Sequence, residues 1–286
     1  MELRKIYLEI SNICNVQCSF CPIVDRDKTK MSLEQIDNIF QKIAGRSFEV
    51  CLHLMGEPTA HSDIVEIIEL AGKYNLQINL TTNGLLIKRY GESFLNLSAL
   101  RQINFSFQAY QDNFPHKDLK QYLDPIFDFT RKAFIKKPEL YINFRLWNIR
   151  EPGQQNDIFF DAVEKEFGVE LNRTIQVENI KSKKILKRLY FHFDSRFVWP
   201  SLEQEEKGDR GRCHGLISHV GIHADGTVVP CCLDKEAVIN LGNIHSETLD
   251  EIYQKEKTQN MILGFNKNEL VESLCKRCDY IKRFKK

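Results

Sequence analysis

With 286 residues, 42% of them hydrophobic and 28% charged, the chain has the composition of an ordinary globular protein, long enough for one large α/β domain and a small appendage. The formal net charge of +1 provides no whole-chain field for a polyanion, and no apolar run approaches membrane-spanning length. The opening residues Met1 to Lys5 lead into a strand without the apolar region of a secretory signal, so the clustered thiols among the nine cysteines are expected to bind metal in the cytoplasm rather than to pair as disulfides.

Strands alternate with helices along the chain. A short apolar strand, Ile6 to Ile10, comes first. Ser32-Leu33-Glu34-Gln35 is a capping box, opening a helix with Leu33, Ile36, Ile39, Phe40 and Ile43 at helical spacing. A strand over Val50 to Gly56 follows, then a helix capped by Ser62 with Asp63 and Glu66 in its first turn. Further strands are expected at Gln77 to Asn83, Ile103 to Ala109, Leu140 to Trp147 and Thr174 to Asn179, with helices over Asp118 to Lys137 and Gln155 to Phe167. Such alternation implies parallel strands with crossover helices. About six units suit an open, partial (β/α)6 barrel better than a closed eightfold one.

Strands covered by helices on both faces read as unbroken apolar runs. These strands alternate instead. Tyr7 and Glu9 oppose Ile6, Leu8 and Ile10; Cys51, His53 and Met55 oppose Val50, Leu52 and Leu54; Asn79, Thr81 and Asn83 oppose Ile78 and Leu80. Asn104, Ser106 and Gln108, then Tyr141, Asn143, Arg145 and Trp147, continue the pattern. With helices on the apolar side, the polar set is expected to line the interior and to meet a polar substrate through Gln108, Asn143, Arg145 and His53. An antiparallel sheet with one face in solvent would give the same alternation.

Cys14, Cys18 and Cys21 form C-x3-C-x2-C directly after the first strand. Three thiolates do not close a tetrahedral zinc site, and the run differs from that of ferredoxins, which ends in a fourth Cys before Pro. On a four-iron cluster they leave one iron open. The spacing, its place on the first strand-to-helix loop and the aromatic Phe20 resemble the signature of the radical S-adenosylmethionine (radical SAM) superfamily. The resemblance implies that the open iron chelates the amino and carboxylate groups of S-adenosylmethionine. It implies further that one electron splits the sulfonium to a 5′-deoxyadenosyl radical, which takes hydrogen from a substrate. A structural thiol cluster, or a zinc site completed from elsewhere, is the other reading of the bare spacing.

The same resemblance extends to Met55-Gly56-Glu57-Pro58 at the end of the second strand, which matches a Gly-Gly-Glu-Pro motif credited with binding the cofactor's amino group. Met55 replaces the first glycine, where a backbone carbonyl still serves. Asn83, before Gly84, resembles the position framing the nucleoside, and Ser106 a ribose-contacting one. Arg145 is assigned to the cofactor carboxylate or the substrate, with a buried structural ion pair as its other reading. His61 is expected to hold its loop.

Downstream, Gly221 to Cys231 reads as a hairpin with an Asp225-Gly226 turn. Cys213 and Cys231 have seventeen residues between them, and Cys275-x2-Cys278 adds two more thiols. These four resemble the SPASM/twitch extension in its short twitch form, of the 2-deoxy-scyllo-inosamine dehydrogenase type, which implies a fully liganded auxiliary 4Fe–4S cluster. A four-Cys zinc knuckle has the same C-x2-C spacing. Cys231, after Pro230, fits the ligand position better than Cys232; Cys51 and Cys232 are expected to be unliganded.

Residues 1–200 are thus read as the radical SAM partial barrel and 201–286 as the auxiliary domain. The basic run Lys181 to Arg188 reads as a solvated linker, and His192, Asp194 and Arg196 as one side of a following strand, with Arg196 orienting substrate. The cofactors implied are S-adenosylmethionine and two 4Fe–4S clusters. The function implied is hydrogen abstraction from a small polar molecule or peptide, with the auxiliary cluster accepting an electron to complete a two-electron oxidation. An external donor, flavodoxin or ferredoxin, would supply electrons. With the first strand at the N-terminus, no fused leader-binding domain is expected. Radical modification of a ribosomal peptide or of RNA, and a metal-binding scaffold without catalysis, are the alternatives; the basic C-terminal stretch permits an RNA contact that the net charge does not encourage.

Overall fold

The computed structural model describes residues 3–153, 155–178 and 180–284. In chain order the elements begin β1 (Leu3–Leu8), α1 (Leu33–Ile43), β2 (Ser47–Cys51), α2 (Ile64–Lys73), β3 (Gln77–Thr82) and α3 (Ile87–Phe94). They continue with β4 (Leu100–Ser106), α4 (Phe107–Asn113), α5 (Leu119–Lys136), β5 (Tyr141–Leu146), α6 (Asp157–Phe167), β6 (Ser182–Leu186) and β7 (Leu189–Phe193). The C-terminal part supplies β8 (His219–Ile222), β9 (Thr227–Val229), β10 (Gly242–Asn243), α7 (Leu249–Gln254), α8 (Glu256–Asn266) and α9 (Ser273–Lys276). No helix among the described residues is long and apolar enough to cross a membrane.

The chain packs as two compact units. The first comprises residues 1–14, 22–77 and 197–286; the second comprises 15–21 and 78–196. In the first, strands lie in the order β10-β9-β8-β1-β2, with β1 parallel to both β2 and β8 and the β8–β9–β10 segment antiparallel. In the second the order is β3-β4-β5-β7-β6, parallel except for the β6–β7 pair. The fold is α/β with mostly parallel strands, as alternation predicted; the antiparallel alternative is excluded for the strands it concerned.

Local signals place the helices. The Ser32 capping box forms as the sequence requires, with Ser32 Oγ accepting from Gln35 N and the Gln35 side chain accepting from Ser32 N; Ile36, Ile39, Phe40 and Ile43 are buried. The Asp225-Gly226 hairpin turn also forms, with Gly226 at φ +85°. The core of the second unit is aromatic: Phe107 stacks on Phe144 at 4.6 Å and on Phe159 at 5.0 Å between ring centroids.

Several boundaries differ from the sequence reading. β2 ends at Cys51 rather than Gly56, because Met55 N is bound by the Glu9 carboxylate and Gly56 adopts φ +77°, neither compatible with a ladder. β4 ends at Ser106, and Phe107 to Ala109 begin α4, where the Phe107 stacking outweighs strand periodicity. Gln108 therefore belongs to a helix. Thr174 to Glu178 do not form a strand; Gln176 O accepts from Ile180 N, and Lys183 Nζ donates to Asn172 O. Asn179 lies outside the described residues. The run at 181–188 contributes β6, paired to β7, rather than a linker. Asp63, not Ser62, occupies the N-cap of α2, while Ser62 Oγ accepts from Lys30 Nζ.

Candidate functional site

In the first unit, Glu9, the residue after β1, has no solvent exposure and collects four partners. Arg26 donates to both carboxylate oxygens at 2.9 Å, Met55 N and Ala224 N each donate at 3.2 Å, and His223 Nδ1 stands 3.5 Å away. Burial pushes the Glu9 carboxyl up, but His223 and Arg26 more than offset this and hold it at about 2. Arg26 also donates to Lys235 O, Lys235 Nζ donates to Ile23 O, and Asp25 N donates to Glu236. A buried carboxylate thus ties the segment after Cys21, the turn after β2 and the β8–β9 hairpin together.

That turn is built for close backbone approach. A Cβ on Gly56 would lie 2.3 Å from Ser11 O, so only glycine fits, and Glu57 N donates to Ile13 O. Pro58 starts a single 3-10 turn (Pro58–Ala60) that the buried Glu57 carboxylate caps by accepting from Thr59 N and Oγ1. His61 holds its loop: Nδ1 accepts from Asp63 N, so Nε2 carries the proton and donates to Met31 O at 3.0 Å, and burial lowers its pKa.

The second unit holds the rest of the early cysteine loop. Cys18 is buried and Cys21 exposed, as is Cys14 in the first unit; Phe20 is half-buried. Asn113 Nδ2 donates to Cys18 Sγ at 3.1 Å, and Asn113 Oδ1 accepts from Gln17 N. Asp112 accepts from Ser19 N and from Ser19 Oγ. Asn83 donates to Asn15 Oδ1 at 2.7 Å and accepts from Leu85 N. Arg196 donates to Ser19 O at 2.6 Å with Glu151 3.9 Å away.

Across β4, β5 and β7, Ser106, Arg145 and His192 stand in register, as do Asn104, Asn143 and Tyr190. The polar face is a connected network: Asn104 donates to Asn79 and Thr81, and accepts from Asn143 and Gln102. Arg145 is buried, donates to Thr81 Oγ1 at 3.1 Å and lies 3.5 Å over the Trp147 ring.

The late cysteines lie in the first unit. Burial raises the Cys213, Cys231, Cys275 and Cys278 thiols; the Cys231 thiol feels Cys232, Cys213 and Cys275, and Cys275 feels Cys213 and Cys278. Backbone amides face these sulfurs, Gly215 N donating to Cys213 Sγ at 3.3 Å, and a Cβ on Gly215 would meet Pro230 O, Cys213 Sγ and Cys231. No three His, Cys, Asp or Glu side chains among the described residues converge on a single-ion site. Four neighbouring thiols, with a backbone N–H on the Cys213 sulfur, supply the donor set of a fully liganded iron–sulfur cluster, and equally that of a four-Cys zinc site. Cys51 and Cys232 neighbour each other, and Cys51 Sγ faces Glu49.

Two family models match separate stretches of the chain. A model of the radical SAM superfamily matches residues 8–141, and one of SPASM, an iron–sulfur cluster-binding domain, matches residues 213–279. Residues 8–141 thus form a radical SAM region and residues 213–279 a SPASM region. The radical SAM region binds S-adenosylmethionine and a 4Fe–4S cluster, and the SPASM region carries auxiliary iron–sulfur binding. The chain is 25% identical over 207 residues to a probable GTP 3′,8-cyclase of Pyrococcus abyssi, covering 71% of this chain and 65% of that protein. The chain therefore spans less than two thirds of that relative. Among solved structures, BtrN in complex with AdoMet and 2-DOIA superposes with TM-score 0.62 at 14% identity, over 98% of this chain and 94% of that one. The anSMEcpe enzyme with bound AdoMet and the Cp18Cys peptide gives 0.58 at 16%, over 96% and 86%. At these identities the likeness is one of fold.

Arg26, His223, Asp112 and Asn113 escaped the sequence reading, which placed Glu9 on the polar side of the first strand without its partners.

Proposed function

We propose that this radical SAM protein is an oxidoreductase that abstracts hydrogen from a polar substrate and completes a two-electron oxidation. The observation that carries the reading is the inequality of the two thiol sets, three early and four late. Residues 1–200 form the radical SAM part in this reading and 201–286 the auxiliary part. Cys14, Cys18 and Cys21 hold the first cluster; Cys213, Cys231, Cys275 and Cys278 hold the second. When bound, the first cluster would supply one electron for reductive cleavage of S-adenosylmethionine, and the second would accept the electron left on the substrate after hydrogen-atom abstraction and loss of a proton.

The protein's own residues bind and orient. The Met55-Gly56-Glu57-Pro58 turn offers backbone groups to the cofactor's amino end, since the Glu57 carboxylate is engaged with Thr59. Phe20 belongs to the cofactor-binding set, Asn83 frames the nucleoside and Ser106 contacts the ribose. Arg145 and Arg196 act on substrate: Arg145 is held by Thr81 and Trp147, and Arg196 by Ser19 O. A flavodoxin or ferredoxin serves as donor, and the cytoplasm as location. The test is anaerobic: reconstituted, reduced protein with S-adenosylmethionine should release 5′-deoxyadenosine, and a deuterated substrate should pass its label to it. No 5′-deoxyadenosine under any reductant would favour a metal-binding scaffold.

A second reading, modification of a peptide, is favoured by the fold shared with anSMEcpe, whose structure holds a peptide. Deuterium transfer from candidate peptides against small polar molecules separates the two.

A further inference from the structure

Asn113 closes α4 with every strong hydrogen-bonding group of its side chain engaged. Oδ1 accepts from Gln17 N at 3.0 Å; Nδ2 gives one hydrogen to Ala109 O at 2.8 Å and the other to Cys18 Sγ at 3.1 Å. The amide orientation is fixed by these partners. Turned over, it would set its nitrogen against a backbone N–H and its oxygen against a carbonyl. The sulfur therefore receives an N–H, and receives it from a side chain tied at both ends. Asp112 next door accepts from Ser19 N and Oγ, so the helix end grips the chain on both sides of Cys18. Cys18 is the buried one of the three early cysteines.

We propose that Asn113 is a positioning residue that sets the reduction potential of the first cluster through an N–H···S bond to the Cys18 thiolate. The inference rests on the reading above that Cys14, Cys18 and Cys21 hold that cluster. Hydrogen bonds to the sulfurs are among the levers that set a cluster's potential. A donor aimed at a thiolate stabilises negative charge there, and reduction adds negative charge shared with the sulfurs. The bond therefore favours the reduced form and raises the potential. Its loss makes the cluster harder to reduce without removing a ligand.

The test uses reconstituted holoenzyme in an anaerobic redox titration followed by electron paramagnetic resonance. The first cluster is identified by the change of its signal on adding S-adenosylmethionine, and the auxiliary cluster in the same sample is the internal reference. Three variants are compared. Asn113→Ala removes the donor; Asn113→Asp removes it but keeps an acceptor for Gln17 N; Ser19→Ala loosens the loop without touching the sulfur contact. At the potential where the wild-type cluster is half reduced, both Asn113 variants should show a reduced-to-oxidised ratio lower by about three- to tenfold, tenfold being about 59 mV for one electron. The auxiliary signal should stay in place, and Ser19→Ala should keep the wild-type ratio.

An unchanged ratio in iron-replete Asn113 variants would overturn the inference, as would an equal shift in Ser19→Ala. Loss of four irons in both Asn113 variants while Ser19→Ala stays loaded would also overturn it, by reducing Asn113 to a loop anchor. A wild type with no signal responsive to S-adenosylmethionine would instead overturn the assignment of the three cysteines, and this inference with it.

Discussion

Replacing Glu9 by Gln keeps the volume and one acceptor oxygen but removes the charge that Arg26 faces across two 2.9 Å bonds. The carboxyl sits at about 2 against an ordinary 4.5, and at about 1.36 kcal/mol per pH unit the charged form contributes about 3 kcal/mol. The cost of leaving a buried partner uncompensated, about 3–5 kcal/mol, is of the same size. Because the folded value is the depressed one, the contribution is complete above pH 4.5 and disappears as pH falls toward 2. Guanidinium midpoints of reconstituted wild type and Glu9→Gln, read by tryptophan fluorescence, should therefore differ by about 3 kcal/mol at pH 7 and converge in acid. A variant within about 1 kcal/mol of wild type at pH 7, or a difference that persists undiminished at pH 3, would refute the reasoning.

Gly56→Ala forces a Cβ to within 2.3 Å of Ser11 O at φ +77°; it should lower the melting temperature and weaken S-adenosylmethionine binding in equilibrium dialysis, and unchanged binding would refute the close-approach argument. Replacing Cys14, Cys18 and Cys21 by Ala should reduce iron from about eight to about four per chain and abolish 5′-deoxyadenosine formation. Replacing Cys213, Cys231, Cys275 and Cys278 should remove the other four irons yet leave S-adenosylmethionine cleavage measurable; zinc in place of iron in anaerobic preparations would count against both sets. His219 is held at about 4, by burial first and by Lys5 and His214 second, so it favours the neutral form when folded. The stability it contributes is present above pH 6.5 and lost as pH falls toward 4, and His219→Gln should flatten the profile in that window.

The features legible in the sequence are those carried by neighbours in the chain. The Ser32 capping box, the Asp225-Gly226 turn and the polar–apolar alternation of β3, β4 and β5 each depend on a few consecutive residues, and each appears as read. Cysteine spacing marked the family because ligand geometry constrains spacing directly. The ends of β2 and β4 were misread because distant groups fix them: Glu9 captures Met55 N, and Phe107 is drawn into the stack of Phe144 and Phe159. No local rule joins Glu9 to Arg26 and His223, or Asn113 to Cys18; those pairings exist only once the strands have been ordered.

The parallel pairing of β8 with β1, from Lys5 opposite His219 to Leu8 opposite Ile222, bears on how this protein can be divided. A gene cut at residue 200 would not release two working halves. It would strip the first strand of a ladder partner, leave its amides and carbonyls on a bare flank open to other chains, and deprive Glu9 of Ala224 and His223 at once. The C-terminal part is a fixture of the sheet, not an accessory hung from it, and attempts to trade it between relatives should carry the first strand along.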